Sequence, residues 1–216
     1  MPKPNKFNYQ KKESFRDAFY LIIVCEGSNR EPEYFRFFDG LSSRVKVVPV
    51  ESHEGESAPE KLIDNARRKI EELDATSDRD ILWFVIDTDH WMAQIHHLRN
   101  ECEHHHGWNV AHSNPCFDVW LYYHVKKTLP ALDHIDRCNN WKPLVAKIIN
   151  GGFNPDFHPV AIETAIKNSK GNYNEKGYFP QPGSTQVWKL AEILIPLIKN
   201  ELEVLKQKFP APNVIK

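Results

Sequence analysis

Acidic residues follow two apolar segments of the chain, each typical of a buried strand. Glu26 comes directly after residues 21–25, and Asp87 and Asp89 follow residues 81–86. If both segments are strands of one parallel sheet, these carboxylates gather at its carboxyl edge, where α/β sheets bind ligands. Residues two apart in an extended segment point the same way, so Asp87 and Asp89 can face one ion. Carboxylate oxygens with room for water and phosphate suit Mg²⁺, with Mn²⁺ as the alternative.

A purely structural role for each acid is the competing interpretation. Aspartate often caps a helix that follows a strand, and Asp89 is placed to do so. Asp87 would then be a solvated loop residue, and Glu26 a surface acid near the next helix. Neighbouring buried acids without a cation raise each other's pKa, which makes such an arrangement costly. Two acidic strand ends in one sheet therefore favour a site over two unrelated caps.

Alternating strands and helices are indicated for the first part of the chain, and they would bring these acids together. The predicted strands cover residues 19–25, 45–50, 81–86 and 108–112, with a helical pattern after each. This order predicts an α/β fold with a mostly parallel four-stranded sheet and right-handed crossovers. Beyond residue 128 the pattern becomes mainly helical. We expect a basic arm (1–16), an α/β domain (17–128) and a helical C-terminal appendage (129–216) packed on the core.

The composition of the chain limits the classes of protein and the cellular compartments that it fits. The chain has 216 residues, is 41% hydrophobic and carries a formal net charge of −1, so it suits a globular fold and is not an evident polyanion binder as a whole. Residues 1–16 are locally basic and could contact phosphates, although a solvated tail is the simpler interpretation. No apolar run approaches the ~20 residues of a membrane span. The four cysteines lack C-x-x-C spacing, which predicts no zinc site or disulfide framework and a reduced, cytoplasmic setting.

The motifs resemble a known family. An apolar strand followed by Glu-Gly, and a second followed by Asp-x-Asp, is similar to the TOPRIM domain of topoisomerases, bacterial primases and several nucleases. The local sequence resembles the RloB-like family more narrowly. The resemblance covers residues 16–128 well and the rest loosely, and it is carried by three segments: Leu21-Ile22-Ile23-Val24-Cys25-Glu26-Gly27 with Glu31-Pro32-Glu33-Tyr34-Phe35, Ile86-Asp87-Thr88-Asp89, and Ser113-Asn114-Pro115-Cys116-Phe117-Asp118-Val119-Trp120.

The resemblance implies roles for matching residues. Glu26 corresponds to the TOPRIM glutamate, a general acid or base and metal ligand, and Asp87 and Asp89 correspond to the metal-binding aspartates. Asp118 stands where the family often has glutamate, which puts a direct catalytic role for it in doubt. RloB-like proteins are regarded as TOPRIM nucleases of prokaryotic restriction and abortive-infection loci, often beside an ATPase. That context implies a Mg²⁺-dependent enzyme.

Five further residues are candidate substrate contacts. Ser113 and Asn114 lie at a strand-to-helix junction, where Asn114 could bind a phosphate, or where both could form a capping turn. His90 follows Asp89 directly. Lys170 and Lys176 flank a Gly- and Tyr-containing segment that could grip a nucleic acid, or could be an ordinary solvated loop.

The function expected from the sequence is metal-dependent hydrolysis of RNA or DNA, tRNA included, in anti-phage defence. Two alternatives stay open: a non-catalytic or regulatory partner subunit of a defence ATPase, and a phosphotransfer enzyme acting on small nucleotides. No nucleophilic tyrosine is indicated near the acids, which favours hydrolysis over reversible strand passage. The sequence leaves the nucleic acid class and the oligomeric state open.

Overall fold

The computed structural model describes residues 18–53, 57–88, 92–131 and 133–212. The basic arm (1–16) lies outside the described residues. So do Asp89 and His90, two of the site residues predicted from the sequence.

A mostly parallel sheet forms the centre of the fold. Within the described residues it has five strands in the order β2-β1-β3-β4-β7, of which the first four are parallel. A separate two-stranded hairpin pairs β5 with β6. The strands are β1 (Phe19–Cys25), β2 (Val45–Val50), β3 (Ile81–Asp87), β4 (Trp108–Asn114), β5 (Glu175–Lys176), β6 (Phe179–Pro180) and β7 (Ser184–Thr185).

The expectation of a four-stranded sheet is wrong by one strand. β7 adds to the edge of β4 in the antiparallel direction, with Ser113 opposite Thr185 and Asn114 opposite Ser184. A strand of two residues is too short to show the alternating or continuous apolar pattern by which a strand is found from sequence.

Helices cover both faces of the sheet. Alternate residues of β1 point to opposite faces, so Leu21 and Ile23 belong to one hydrophobic cluster and Ile22 and Val24 to another. The first cluster includes residues of α1, α4 and α7, and the second those of α2 and α3. The helices are α1 (Arg30–Arg36), α2 (Pro59–Leu73), α3 (Met92–His104), α4 (Asp118–Tyr122), α5 (Cys138–Ile148), α6 (Ile162–Gly171) and α7 (Val187–Lys208), with a 3₁₀ turn at His158–Ala161.

The C-terminal helix shares the core of the sheet. Leu190 and Leu194 of α7 are fully buried in the same cluster as Leu21 of β1 and Trp120 of α4. This is the packing expected of a helical appendage, while the division at residue 128 stays a prediction. No helix in the described part of the chain is long and apolar enough to cross a membrane.

A disulfide contradicts the expectation from cysteine spacing. Cys116, between β4 and α4, is bonded to Cys138, the first residue of α5, across 22 positions of sequence. No local motif marks such a pair, because the fold alone brings the two segments together. Cys25 and Cys102 are buried free cysteines. The cysteines therefore give no support to the expected reduced compartment.

A buried histidine on β4 generates a test of this packing. His112 is fully buried and its ring stacks on Phe179, and burial lowers its pKa from 6.5 to about 4. As the pH falls below 6.5, the unfolded chain binds a proton at His112 that the folded chain does not bind. The stability that depends on a neutral His112 is therefore fully present above pH 6.5 and is lost as the pH falls.

We predict that His112→Phe flattens the pH dependence of unfolding. Between about pH 7.5 and about pH 5, the parent should lose about 2 kcal/mol more of its unfolding free energy than the variant. Urea unfolding at both pH values measures the difference. Equal losses in both proteins would mean that His112 titrates normally in the folded chain.

Candidate functional site

The ends of two neighbouring parallel strands hold Glu26 and Asp87 against each other. The Glu26 amide donates a hydrogen bond to the Val85 carbonyl at 3.0 Å, which extends the pairing of β1 with β3. The Glu26 Oε2 atom then accepts a hydrogen bond from the Asp87 amide at 2.7 Å. The sheet edge predicted from the sequence therefore brings these two acids together.

The Asp87 carboxylate is oriented from a third element. Its Oδ1 atom accepts a hydrogen bond from the amide of Phe117, the residue that precedes α4, at 2.9 Å. Both Glu26 and Asp87 are half-buried. Each is thus held by a backbone donor and still borders solvent, as a residue that binds a ligand must.

An open cleft of about 490 Å³ lies at this edge of the sheet. Four acids and two cations share its lining, so the site is rich in charged groups. Arg30 and Lys142 are exposed, whereas Glu31 and Asp118 are buried. The charged lining residues are Glu26, Glu31, Asp87, Asp118, Arg30 and Lys142.

Glu31 and Asp118 were not assigned to the site from sequence. Burial raises the pKa of Glu31, and the nearby Asp118 charge raises it further. Burial also raises the pKa of Asp118, against the opposing effect of Arg30, which pairs with it. Glu31 lies in the helix expected after the first predicted strand, but only the packing of α1 shows that its carboxyl is buried.

Gly27 leaves the space that the Glu31 carboxyl occupies. A Cβ atom built on Gly27 would lie 2.2 Å from Glu31 Oε2 and 2.9 Å from its Cδ atom. The glycine of the Glu-Gly pair that follows β1 therefore has a steric reason, since any side chain at position 27 would displace the buried acid.

Comparison with known proteins identifies the family. A family profile described as RloB-like protein matches residues 21–194, most of the chain. The chain belongs to the RloB-like family. No match was found among curated proteins, and none among solved structures.

Ser113 and Asn114, at the end of β4, are not among the residues that line the cleft. Ser113 Oγ lies 2.8 Å from Thr185 Oγ1, and Asn114 Nδ2 donates a hydrogen bond to the Pro180 carbonyl at 2.7 Å. These contacts attach β7 and β6 to the sheet. The substrate-binding role of Ser113 and Asn114 stays a prediction.

The two candidate lysines are not among the residues that line the cleft. Lys170, in α6, is 2.6 Å from Glu192, and its ammonium nitrogen lies 4.8 Å from the centre of the Trp188 ring. Lys176 is an exposed residue of β5. The segment that follows Lys170 includes the short strands β5 and β6, and contact of either lysine with nucleic acid stays a prediction.

We predict strong coupling between positions 27 and 31. Gly27→Ala should destabilise the parent by about 1 kcal/mol, because the new methyl group would force the buried carboxyl of Glu31 to move. In a Glu31→Ala background the same change should cost under about 0.5 kcal/mol, because the clashing carboxyl is gone. Urea unfolding of the four proteins gives the coupling energy. Additive effects would show that the carboxyl of Glu31 does not occupy this space.

Proposed function

We propose that this RloB-like protein is a metal-dependent nuclease that hydrolyses phosphodiester bonds of RNA or DNA in prokaryotic anti-phage defence. The observation that carries the proposal is the hydrogen bond of 2.7 Å that joins Glu26 to the Asp87 amide at the mouth of an open cleft. Two acids from adjacent parallel strands are what a TOPRIM-type site requires, and the family is regarded as a TOPRIM nuclease group.

The donor set fits a hard divalent cation. Glu26 and Asp87 offer carboxylate oxygens at an edge open to solvent, and such oxygens are the preferred ligands of Mg²⁺ and Mn²⁺. In the proposed site these two residues hold the ion, with Asp89 as a further ligand by sequence. A bound ion would supply charge for the phosphate oxygens and lower the pKa of a coordinated water.

The cations of the cleft suit a phosphate substrate. The Arg30 guanidinium is about half exposed while it pairs with buried Asp118, and Lys142 is exposed on α5. Both charges can attract a nucleic acid backbone to the acids. In this proposal the phosphodiester lies between Arg30, Lys142 and the Glu26–Asp87 pair.

Glu31 suits the handling of a proton. Its carboxyl keeps a proton to a higher pH than an ordinary glutamate because it is buried beside Asp118. A carboxyl whose pKa is raised in this direction is suited to act as a general acid. We assign Glu26 the roles of metal ligand and general base, and Glu31 the role of a proton donor in the same cleft.

A defence setting and a partner ATPase form the wider part of the proposal. They rest on the association of RloB-like proteins with restriction and abortive-infection loci. We place the protein in the cytoplasm, where invading nucleic acid would be met.

Isosteric substitutions test the nuclease. Asp87→Asn keeps an oxygen for the Phe117 amide, and Glu26→Gln keeps one for the Asp87 amide, so both variants preserve the fold while they remove charge. We expect each to lower Mg²⁺- or Mn²⁺-dependent cleavage of tRNA, single-stranded RNA or DNA by about 100-fold or more, because a metal ligand is lost.

Asp78→Asn is the matched control. Asp78 is exposed in the turn before β3, at the opposite edge of the sheet, so this variant should cleave like the parent. Equal cleavage by the parent and Asp87→Asn would refute the assignment of the acids. Absence of cleavage by the parent with every substrate, together with stable association with an ATPase, would favour the partner-subunit alternative.

A further inference from the structure

Two sulfur atoms lie beside one of the acids of the cleft. Ligand atoms of Asp87, Cys116 and Cys138 all lie within 4.8 Å of one another. Zinc binds sulfur at ~2.3 Å and carboxylate oxygen at ~2.0–2.2 Å, so two ligands of one zinc ion are at most about 4.6 Å apart. Once the bond between the sulfurs opens, small side-chain rotations would give this spacing.

Three separate elements fix the three residues. Asp87 ends β3, Cys116 lies in the turn before α4, and Cys138 begins α5, a helix of 11 residues. The turn also orients the acid, since Phe117, next to Cys116, donates its amide to Asp87 Oδ1 at 2.9 Å. The start of a helix and a nearby ammonium group, here Lys142 one turn into α5, stabilise a thiolate.

We propose that reduction of the Cys116–Cys138 disulfide creates a binding site for a thiophilic divalent cation of the zinc type. A dithiol reductant supplies two electrons and two protons, which convert the disulfide to two thiols while the reductant becomes a disulfide. The cation then binds both sulfurs and the Asp87 carboxylate, and two thiol protons are released to water.

A zinc ion held by these three residues would have a fourth coordination position, and the cleft borders two of the three ligands. Asp87 and Cys138 line the cleft, while Cys116 is buried behind them. Three protein ligands with an open fourth position are the arrangement of zinc sites that accept water or a substrate oxygen. Two sulfur ligands also distinguish this site from the Mg²⁺ site, because thiolates select zinc-type ions and carboxylates suit Mg²⁺.

This inference goes beyond nuclease activity and does not need it. Asp87 is common to both sets of ligands, so a zinc ion held by the thiols would compete with Mg²⁺ for that carboxylate. In the disulfide form the two sulfurs are bonded to each other and do not bind a cation. Asp87 then acts only with the carboxylate ligands of the proposed Mg²⁺ site. The redox state of the Cys116–Cys138 pair would therefore determine which class of cation Asp87 binds.

Metal titration of the full chain tests the proposal. Metal-free protein is prepared in oxidised and reduced forms, and thiol counts confirm the state of the cysteine pair. Zn²⁺ is titrated against a chromophoric chelator in excess Mg²⁺, and Co²⁺ is used as a probe of thiolate ligation by absorbance. We expect one equivalent of Zn²⁺ and a thiolate–Co²⁺ band for the reduced chain, and neither for the oxidised chain.

Variants assign the ligands. Cys116→Ser and Cys138→Ser should each lose the tight equivalent of Zn²⁺, and Asp87→Asn should weaken it by about 10-fold or more. Cys102→Ser, at a buried free cysteine of α3, is the matched control and should bind as the parent does.

Reduced parent protein that takes up no Zn²⁺ would overturn the proposal. So would uptake that is equal in the oxidised chain, or that survives in both Cys116→Ser and Cys138→Ser. Because binding is read without substrate, zinc uptake by a chain that cleaves nothing would refute only the nuclease. Cleavage without zinc uptake would refute only the thiol site.

Discussion

The hydrogen bond between the Glu26 carboxylate and the Asp87 amide is the contact on which the proposed site depends. It exists because β1 and β3 are parallel neighbours, so that the residues just beyond Cys25 and Val85 reach the same edge together. The Phe117 amide then fixes Asp87 from the start of α4. Two backbone donors, each supplied by a different element, thus orient two carboxylates that would otherwise repel each other.

The same edge of the sheet also holds ionisable groups that are buried, an arrangement that burial ordinarily disfavours. Glu31 and Asp118 are buried acids with raised pKa values, and Arg30 is the cation that pairs with one of them. Gly27 supplies the space for Glu31. Burying acids so close together costs stability, which a protein tolerates where the groups serve binding or proton transfer. The Cys116–Cys138 disulfide lies beside Asp87 and adds two sulfur atoms to this group of reactive side chains.

Sequence patterns predicted the parallel sheet and its acidic edge because the apolar runs 21–25 and 81–86 are each followed directly by an acid. They missed β7, which has two residues and no period, and the Cys116–Cys138 bond, which spans 22 positions and depends on tertiary packing. The helix that contains Glu31 was expected, but the burial of its carboxyl depends on how α1 packs against the sheet. The family profile confirms the RloB-like resemblance, whereas the roles of Asn114 and Lys170 stay predictions.

The central claim is that the paired strand ends hold a divalent cation. Anomalous diffraction from crystals of the oxidised protein soaked in Mn²⁺ tests it most directly, because the ion is located independently of any substrate. The account predicts a manganese peak within coordination distance of the Glu26 and Asp87 carboxylates, which disappears in crystals of Asp87→Asn. Manganese bound elsewhere on the protein, with no peak at this edge of the sheet, would contradict it.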